Sequence, residues 1–287
     1  MTTNSIKNRY DFVFLFDVKD GNPNGDPDQA NLPRVDAENQ EGLITDVCIK
    51  RKVRNYVQLK KSNFGEDGNN TPEKGFDIFI KQGSYLNNTI ESAKGDTPQK
   101  RQGSICNDFF DVRTFGAVLA TGEKGAGTVR GPVQFTFSRS EDRIYQAEHS
   151  ITRCAVTTEK EAKAQEKREN ASTFGRKSTV PYALYRMHGF VSAVDAQKSG
   201  FSEEDLSLLW EALLNAFEHD RAAARGEMNP RKLIVFKHNN HLGSARSGEL
   251  FDRVQITKNV DLPRSWGDYT VTIEKFVPQG VELIEML

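Results

Sequence analysis

Three stretches carry the clearest hydrophobic patterns. From Tyr10 to Asp17 the chain reads Tyr-Asp-Phe-Val-Phe-Leu-Phe-Asp, which puts Phe12, Phe14 and Phe16 on one face of a strand and Val13 and Leu15 on the other. Both faces are apolar, so the pattern predicts a central strand covered on both sides. Between Gly42 and Lys61, Thr45 or Asp46 suits a helix start, and no Gly or Pro interrupts the residues after it. Helical spacing gathers Ile49, Val53, Tyr56 and Val57 on one arc and Lys50, Arg51, Arg54, Gln58 and Lys61 on the neighbouring arc. A second helix starts at Ser202. Asp205 can complete a capping box there, and Leu206, Leu209, Trp210, Leu213, Leu214 and Phe217 form its core face. Asp220 to Gly226 reads as its extension, with Arg221 and Arg225 one turn apart.

Weaker patterns fill the intervals. Val133 to Phe137, Ile144 to Ile151, Pro181 to Val194, Leu233 to Phe236, Val254 to Thr257 and Tyr269 to Phe276 read as strands, with a polar hairpin turn over Arg139 to Arg143. Phe109, Val112, Phe115 and Leu119 recur at helical spacing between Ile105 and Ala120. Ser62 to Gln102 is rich in Gly, Asn, Lys and Asp and reads as an exposed inserted lobe, with a strand at Phe76 to Ile80 and a short helix at Ser84 to Ala93. Thr152 to Thr179 has almost no large apolar residue before Phe174 and reads as a projecting segment, in the manner of a hairpin arm. Without these insertions the order is strand, helix, strand, strand, helix, strand, an α+β arrangement of the split β-α-β type shared by ferredoxin-like and RNA-recognition folds.

Charge sharpens this picture. The 287 residues carry 39 Lys and Arg against 40 Asp and Glu, a net charge of -1, so a polyanion must be held by local stripes and not by a global field. The Gly42 to Lys61 helix supplies such a stripe: six Lys or Arg stand between Val47 and Gly65 without one Asp or Glu. A mean hydropathy of -0.62, short apolar runs and an amino terminus without a secretory pattern predict a cytoplasmic protein with no membrane partner. Cys48, Cys106 and Cys154 are odd in number and widely spaced, which argues against a disulfide framework and a zinc knuckle.

Several motifs suggest chemistry that their context weakens. Asp20-Gly-Asn-Pro-Asn-Gly-Asp-Pro-Asp28 nearly matches a calcium loop, but Asn31 replaces the closing Glu, Pro23 lies inside, and a strand precedes it. Gly122 to Pro132 is glycine-rich without being a phosphate-binding P-loop, although its amides and Arg130 are candidates for holding a phosphate. His238-Asn-Asn-His241 offers two His without a third ligand. Neither a metal nor a cofactor is expected. Phe174-Gly-Arg176-Lys177 sets a ring beside two cations, a grouping suited to a base and two phosphates or to packing on its own hairpin. Lys94, Lys100 and Arg101 form a second basic cluster, which an ordinary solvated face also explains. His149, His188, His219, His238 and His241 are scattered, so no acid-base pair for RNA cleavage is evident.

One set of motifs is more specific. Asp20 to Asp28, Leu-Pro-Arg-Val-Asp36, Gly42 to Arg54, Asp-Val-Arg-Thr-Phe-Gly116, Gly-Pro-Val-Gln-Phe135 and Val-Pro-Tyr-Ala-Leu-Tyr185 closely resemble, in order, the repeated backbone subunit of CRISPR Cascade complexes of type I-C. The resemblance runs nearly end to end. It implies a modified RNA-recognition fold shaped like a hand, in one domain: a palm of residues 1-61, 103-151 and 180-287, a finger lobe of 62-102 and a thumb hairpin of 152-179. It further implies a non-catalytic role. Copies stack head to tail along a guide crRNA with other Cascade subunits, and the guide is presented to target DNA. Carried over, it puts Lys50, Arg51 and Arg54 on guide phosphates, with Asn22 and Asn24 in the adjoining loop. Phe174, Arg176 and Lys177 fall in the thumb, and Lys94, Lys100 and Arg101 become candidates for the DNA backbone. Arg113 and Arg130 are candidates for guide or neighbour contacts, with an internal ion pair an equal reading of Arg113. The alternatives are an endoribonuclease of the same superfamily and a free-standing single-strand RNA binder.

Overall fold

The computed structural model describes residues 5–65, 70–122, 124–153, 155, 158–160 and 173–287. In chain order come β1 (Tyr10–Gly21), β2 (Glu41–Ile44) and α1 (Asp46–Lys60), then α2 (Leu86–Glu91), α3 (Pro98–Asp108) and α4 (Phe110–Phe115). The hairpin β3 (Gly116–Leu119) and β4 (Gly127–Arg130) leads to β5 (Val133–Phe135), β6 (Ser138–Arg143), β7 (Ala147–Arg153) and the long β8 (Thr173–Val191). After them lie α5 (Ala193–Ser199), α6 (Glu203–Leu214), β9 (Glu227–His238), α7 (Ser247–Phe251), β10 (Val254–Lys258), β11 (Tyr269–Ile273) and β12 (Val281–Glu285).

The main sheet runs β12-β9-β1-β8-β6-β2, with β5 and β7 also pairing with β8. β1 is antiparallel to both of its neighbours, and β6 is antiparallel to β8. With α1 before β6 and α6 before β9, the four palm strands take the fourth-first-third-second order of the split β-α-β fold. The expected α+β, RNA-recognition-like architecture is therefore present, with lobes inserted into it.

β1 is central, and its two faces lie in different cores. Phe12, Phe14 and Phe16 pack with Ile49, Val53 and Val57 of α1 and with Leu209, Trp210 and Leu213 of α6. Phe12 meets Trp210 edge-on at 5.0 Å, and Phe16 stacks on Tyr185 at 5.7 Å. Gly189 lies opposite Phe12 in β8, and a Cβ there would lie 2.0 Å from the ring. Val13 and Leu15 join Leu184, Ile234, Phe236, Leu250, Phe251 and Val254 on the other face. A third, smaller core holds Phe79, Ile90, Ile105, Cys106, Val112, Leu119 and Val129.

Several local expectations are corrected. Arg139 to Arg143 is strand, not turn: Ser138 and Ser140 point inward, the Ser140 hydroxyl accepts from the Gly42 amide at 2.8 Å, and Arg139 is neutralised by Asp36 and Glu41. Phe76 to Ile80 is irregular, because the Phe79 and Ile80 amides donate to the Asp111 carboxylate instead of to a strand. The stretch from Ile105 to Ala120 breaks at Phe109 and again at Gly116, whose φ of 84° ends α4, so Leu119 lies on a strand. A boundary at residue 102 would cut through α3. α6 begins with the predicted Ser202–Asp205 capping box but stops at Leu214; Asp220 to Gly226 is a turn folded against the end of β1, where a Cβ on Gly21 would lie 1.8 Å from the Arg225 carbonyl.

Two polar contacts, one buried and one part-buried, fix the layers. Arg113, 7 % exposed, donates through Nε and Nη2 to Asp205 at 2.9 and 2.7 Å, tying α4 to α6. On the opposite face His188 stacks on Phe251 at 4.0 Å and accepts from the Arg186 guanidinium at 2.9 Å. Burial first, and then the Arg186 charge, push the His188 imidazole from its ordinary 6.5 down to about 4. Replacing Arg113 by Ala leaves a buried carboxylate without its cation, and we expect a loss of about 3–5 kcal/mol in urea unfolding. His188 stays neutral in the folded chain while the unfolded chain takes up a proton near pH 6.5. Its contribution is therefore complete above pH 6.5 and is lost as pH falls toward 4. His188→Gln, which keeps an acceptor for Arg186, should flatten the stability profile across that window in pH-dependent melts.

Candidate nucleic-acid interface

The loop after β1 sits against the start of α1 and is held by its own asparagines. Asn24 Oδ1 accepts from both the amide and the hydroxyl of Thr45, the residue that caps α1, at 2.9 and 3.0 Å. Thr45 therefore gives its hydroxyl to the loop and not to the helix end. The Asn22 amide donates to the Ala224 carbonyl at 2.7 Å, and Asn22 Nδ2 donates to the Asn31 carbonyl at 2.7 Å. Asp26, an oxygen donor of the calcium-like run, caps the Asp28 amide and faces Arg34.

A cleft of about 560 Å³ opens beside this loop, lined by Asn22, Asn24, Arg34, Arg51, Lys52 and Arg225 among others, with Asp220 as its acid. A second cleft of about 200 Å³ shares Asn22, Asn31 and Ala224 with the first and continues to Arg176 and Lys177 on β8, opposite Glu148 on β7. The two form one groove from the amino end of α1 to the base of the β7–β8 hairpin. Arg176 and Lys177 make no ion pair among the described residues, and Arg176 is exposed. Cations outnumber acids along the whole lining, as a phosphate backbone requires.

The basic stripe of α1 divides over this geometry. Arg51 enters the groove, donates one bond to the Ile80 carbonyl at 2.7 Å and makes no ion pair among the described residues; burial first and then the neighbouring Arg54 push its pKa down, against the pull of the Asp111 carboxylate. Lys50 faces Asp46 at 2.8 Å and lies over the Phe115 ring. Arg54 also lies over Phe115, and its Nε donates at 2.8 Å to Asp111, a buried carboxylate of α4. Lys52, which the helical pattern alone left unplaced, is buried against Asp220 and the Phe217 ring.

The other expected residues lie elsewhere or in part outside the description. Arg113 is enclosed by Asp205 and the carbonyls of Gly75 and Cys106, which is the internal ion-pair reading; its placement on a guide is corrected because its donors are directed inward. Arg130 is 82 % exposed beside Asp195 of α5 and does not line the groove. Lys94 is exposed, Lys100 pairs with Asp96 at 2.7 Å, and Arg101 donates to the Gly125 carbonyl at 2.9 Å, so this cluster shares the third core's lobe. Phe174 pairs with Thr152 in the β7–β8 ladder, while its side chain, Cys154 and residues 161–172 lie outside the described residues.

His238 is a core residue. Its Nδ1 accepts from the Ser244 amide at 2.9 Å, so Nε2 carries the proton and donates to Asp11 at 3.0 Å. Arg34 and Arg225 lie outside the α1 stripe that pointed to the groove: Arg34 stands in the matched Leu-Pro-Arg run, and Arg225 was legible only as a helical neighbour of Arg221, a spacing that the turn there does not keep. Arg54→Ala should destabilise the fold by about 1–3 kcal/mol, because buried Asp111 keeps only its amide donors. Arg51→Ala should change stability by less than about 1 kcal/mol, and parallel urea titrations separate the two.

The sequence profile of the family described as CRISPR-associated protein Cas7 matches residues 8–274. A curated relative, the CRISPR-associated protein Cas7 of Haloferax volcanii (strain DS2), is 26 % identical over 239 residues, covering 72 % of this chain. The alignment spans 65 % of that relative's length. Among solved structures, a chain of a CRISPR RNA-guided surveillance complex in a pre-nicking state matches with a TM-score of 0.49 at 13 % identity, over 79 % of this chain and 78 % of that one. A chain of another CRISPR RNA-guided surveillance complex matches with a TM-score of 0.45 at 12 % identity, over 79 % and 68 %. A chain of the type III-B Cmr-beta complex bound to cognate target RNA gives 0.42 at 12 % identity, over 79 % and 61 %.

Proposed function

This chain belongs to the Cas7 family of CRISPR-associated proteins, and from that premise we propose that it is a non-catalytic backbone subunit of a type I-C Cascade, binding guide crRNA along the groove between α1 and the β7–β8 hairpin. The observation that carries the proposal is the continuity of that groove: Arg51, Asn22, Arg176 and Lys177 come from three separate parts of the chain and line one path. The motif series from Asp20 to Tyr185 supports the type I-C assignment.

In this reading Arg51, Arg176 and Lys177 neutralise guide phosphates, with Arg34 shared between Asp26 and the strand, while the palm supplies rigidity. Base edges are left for pairing with target DNA, so sequence is read by the guide and not by the protein. Copies of the chain stack head to tail with other Cascade subunits, an open heterologous assembly that a near-neutral subunit favours. The inserted lobe that begins at residue 62 and includes the whole of α3 serves as fingers, with Lys94, Lys100 and Arg101 toward the DNA backbone, and 152–179 serve as the thumb. Arg130, exposed beside α5, faces a neighbouring copy or the guide. The complex works in the cytoplasm.

Two acids of β1 are engaged inside the fold and unavailable for acid-base chemistry. Asp17 is buried and accepts from Tyr182, Asn229 and Arg231; Asp11 is held by Arg9 and His238. No helix among the described residues is long and apolar enough to cross a membrane.

Binding of the purified chain to single-stranded RNA should fall with salt. Arg51→Ala combined with Arg176→Ala should lower the magnitude of the salt slope by about 0.7 for each phosphate contact removed, read by anisotropy across a salt series. An unchanged slope in a folded variant would sink the groove as the guide path.

A further inference from the structure

We propose that Asn22 discriminates ribose from deoxyribose, accepting a hydrogen bond from a 2′-hydroxyl where a bound strand crosses between the two clefts. This deepens the guide-path reading and rests on it. Asn22 lines both clefts and is 8 % exposed. Its Nδ2 donates to the Asn31 carbonyl at 2.7 Å, which fixes the amide orientation, since the flipped amide would set two oxygens against each other. Oδ1 is then directed away from Asn31 and has no hydrogen-bond partner among the described residues. A buried acceptor without a donor is a standing penalty that a ligand can relieve.

The chemistry of the ligand follows from what a nucleic-acid backbone offers. Phosphate oxygens, ester oxygens and the ring oxygen all accept; the 2′-hydroxyl of RNA is the backbone donor, and DNA lacks it. An unpartnered acceptor on a path where cations outnumber acids therefore selects the sugar, while the cations bind phosphates of either strand type. In the free chain Oδ1 is occluded, so the proposed contact requires a small turn of the side chain about its retained Nδ2–Asn31 bond. The backbone of the loop is anchored beside it: the Asn22 amide is bonded to Ala224, and Gly21 and Gly25 pass so close to Arg225 and Asn31 that a Cβ would clash. Arg34 has the complementary feature, a buried Nε without an acceptor in the same cleft, suited to a phosphate oxygen.

The test uses the purified chain and three labelled strands of one sequence: RNA, DNA, and 2′-fluoro RNA, which keeps an RNA-like sugar pucker without the donor. Wild type should bind RNA about three- to tenfold more tightly than the 2′-fluoro strand, the equivalent of one net hydrogen bond. Asn22→Ala should bring that ratio close to one with its salt slope unchanged, and Lys275→Ala, an exposed change outside both clefts, should keep it. Equal wild-type affinity for RNA and 2′-fluoro RNA overturns the inference without any variant, and so does a folded Asn22→Ala that keeps the preference. Absence of salt-dependent binding to all three strands overturns the groove reading itself, and the inference with it.

Discussion

The structure depends on β1 being apolar on both faces. A strand with Phe12, Phe14 and Phe16 on one side and Val13 and Leu15 on the other is stable only when both sides are covered. α1 and α6 cover the phenylalanine side, and α7, β10 and β11 cover the other with Phe251, Val254 and Tyr269. Burial of each large side chain contributes about 1.5–3 kcal/mol, so this strand fixes the position of everything around it. The loop leaving β1 and the first turn of α1 are brought together as a consequence. The groove is therefore assembled at the margin of the core by the packing of β1.

Buried charge does the finer positioning. Asp111 accepts from Arg54 of α1 and from the amides of Phe79 and Ile80, so one carboxylate joins the palm helix to the inserted lobe. Asp205 does the same between α6 and α4 through Arg113 while also capping its own helix. Both acids lie within matched motifs or predicted caps, yet their partners are distant in the chain. Such contacts keep a lobe in one orientation better than apolar packing alone, because a displaced carboxylate would be left without donors.

What the sequence made legible follows from how local the deciding interaction is. β1, α1 and the Ser202–Asp205 cap were readable because alternation, helical spacing and capping act over a few residues. β6 was not: its residues are polar because Ser140 serves a backbone amide of β2 and Arg139 meets Asp36 and Glu41, all remote in sequence. The helical stripe on α1 showed an excess of positive charge but not its allocation. Arg51 reaches the groove, while Lys50, Lys52 and Arg54 are matched by Asp46, Asp220 and Asp111, acids that spacing within α1 could place only in the first case.

That allocation has a consequence for how a polyanion is held. A phosphate that approached Lys50 or Arg54 would have to displace a carboxylate, and the gain would be the difference between two similar ion pairs in partly buried surroundings. Arg51 bonds a neutral carbonyl, and Arg176 and Lys177 have no ion pair among the described residues, so a phosphate there gains the full interaction. The chain thus reaches near-neutrality without neutralising its groove. In the guide path we propose, compensated cations build the walls, uncompensated ones are the sites for phosphate, and Asn22 lies between the two clefts.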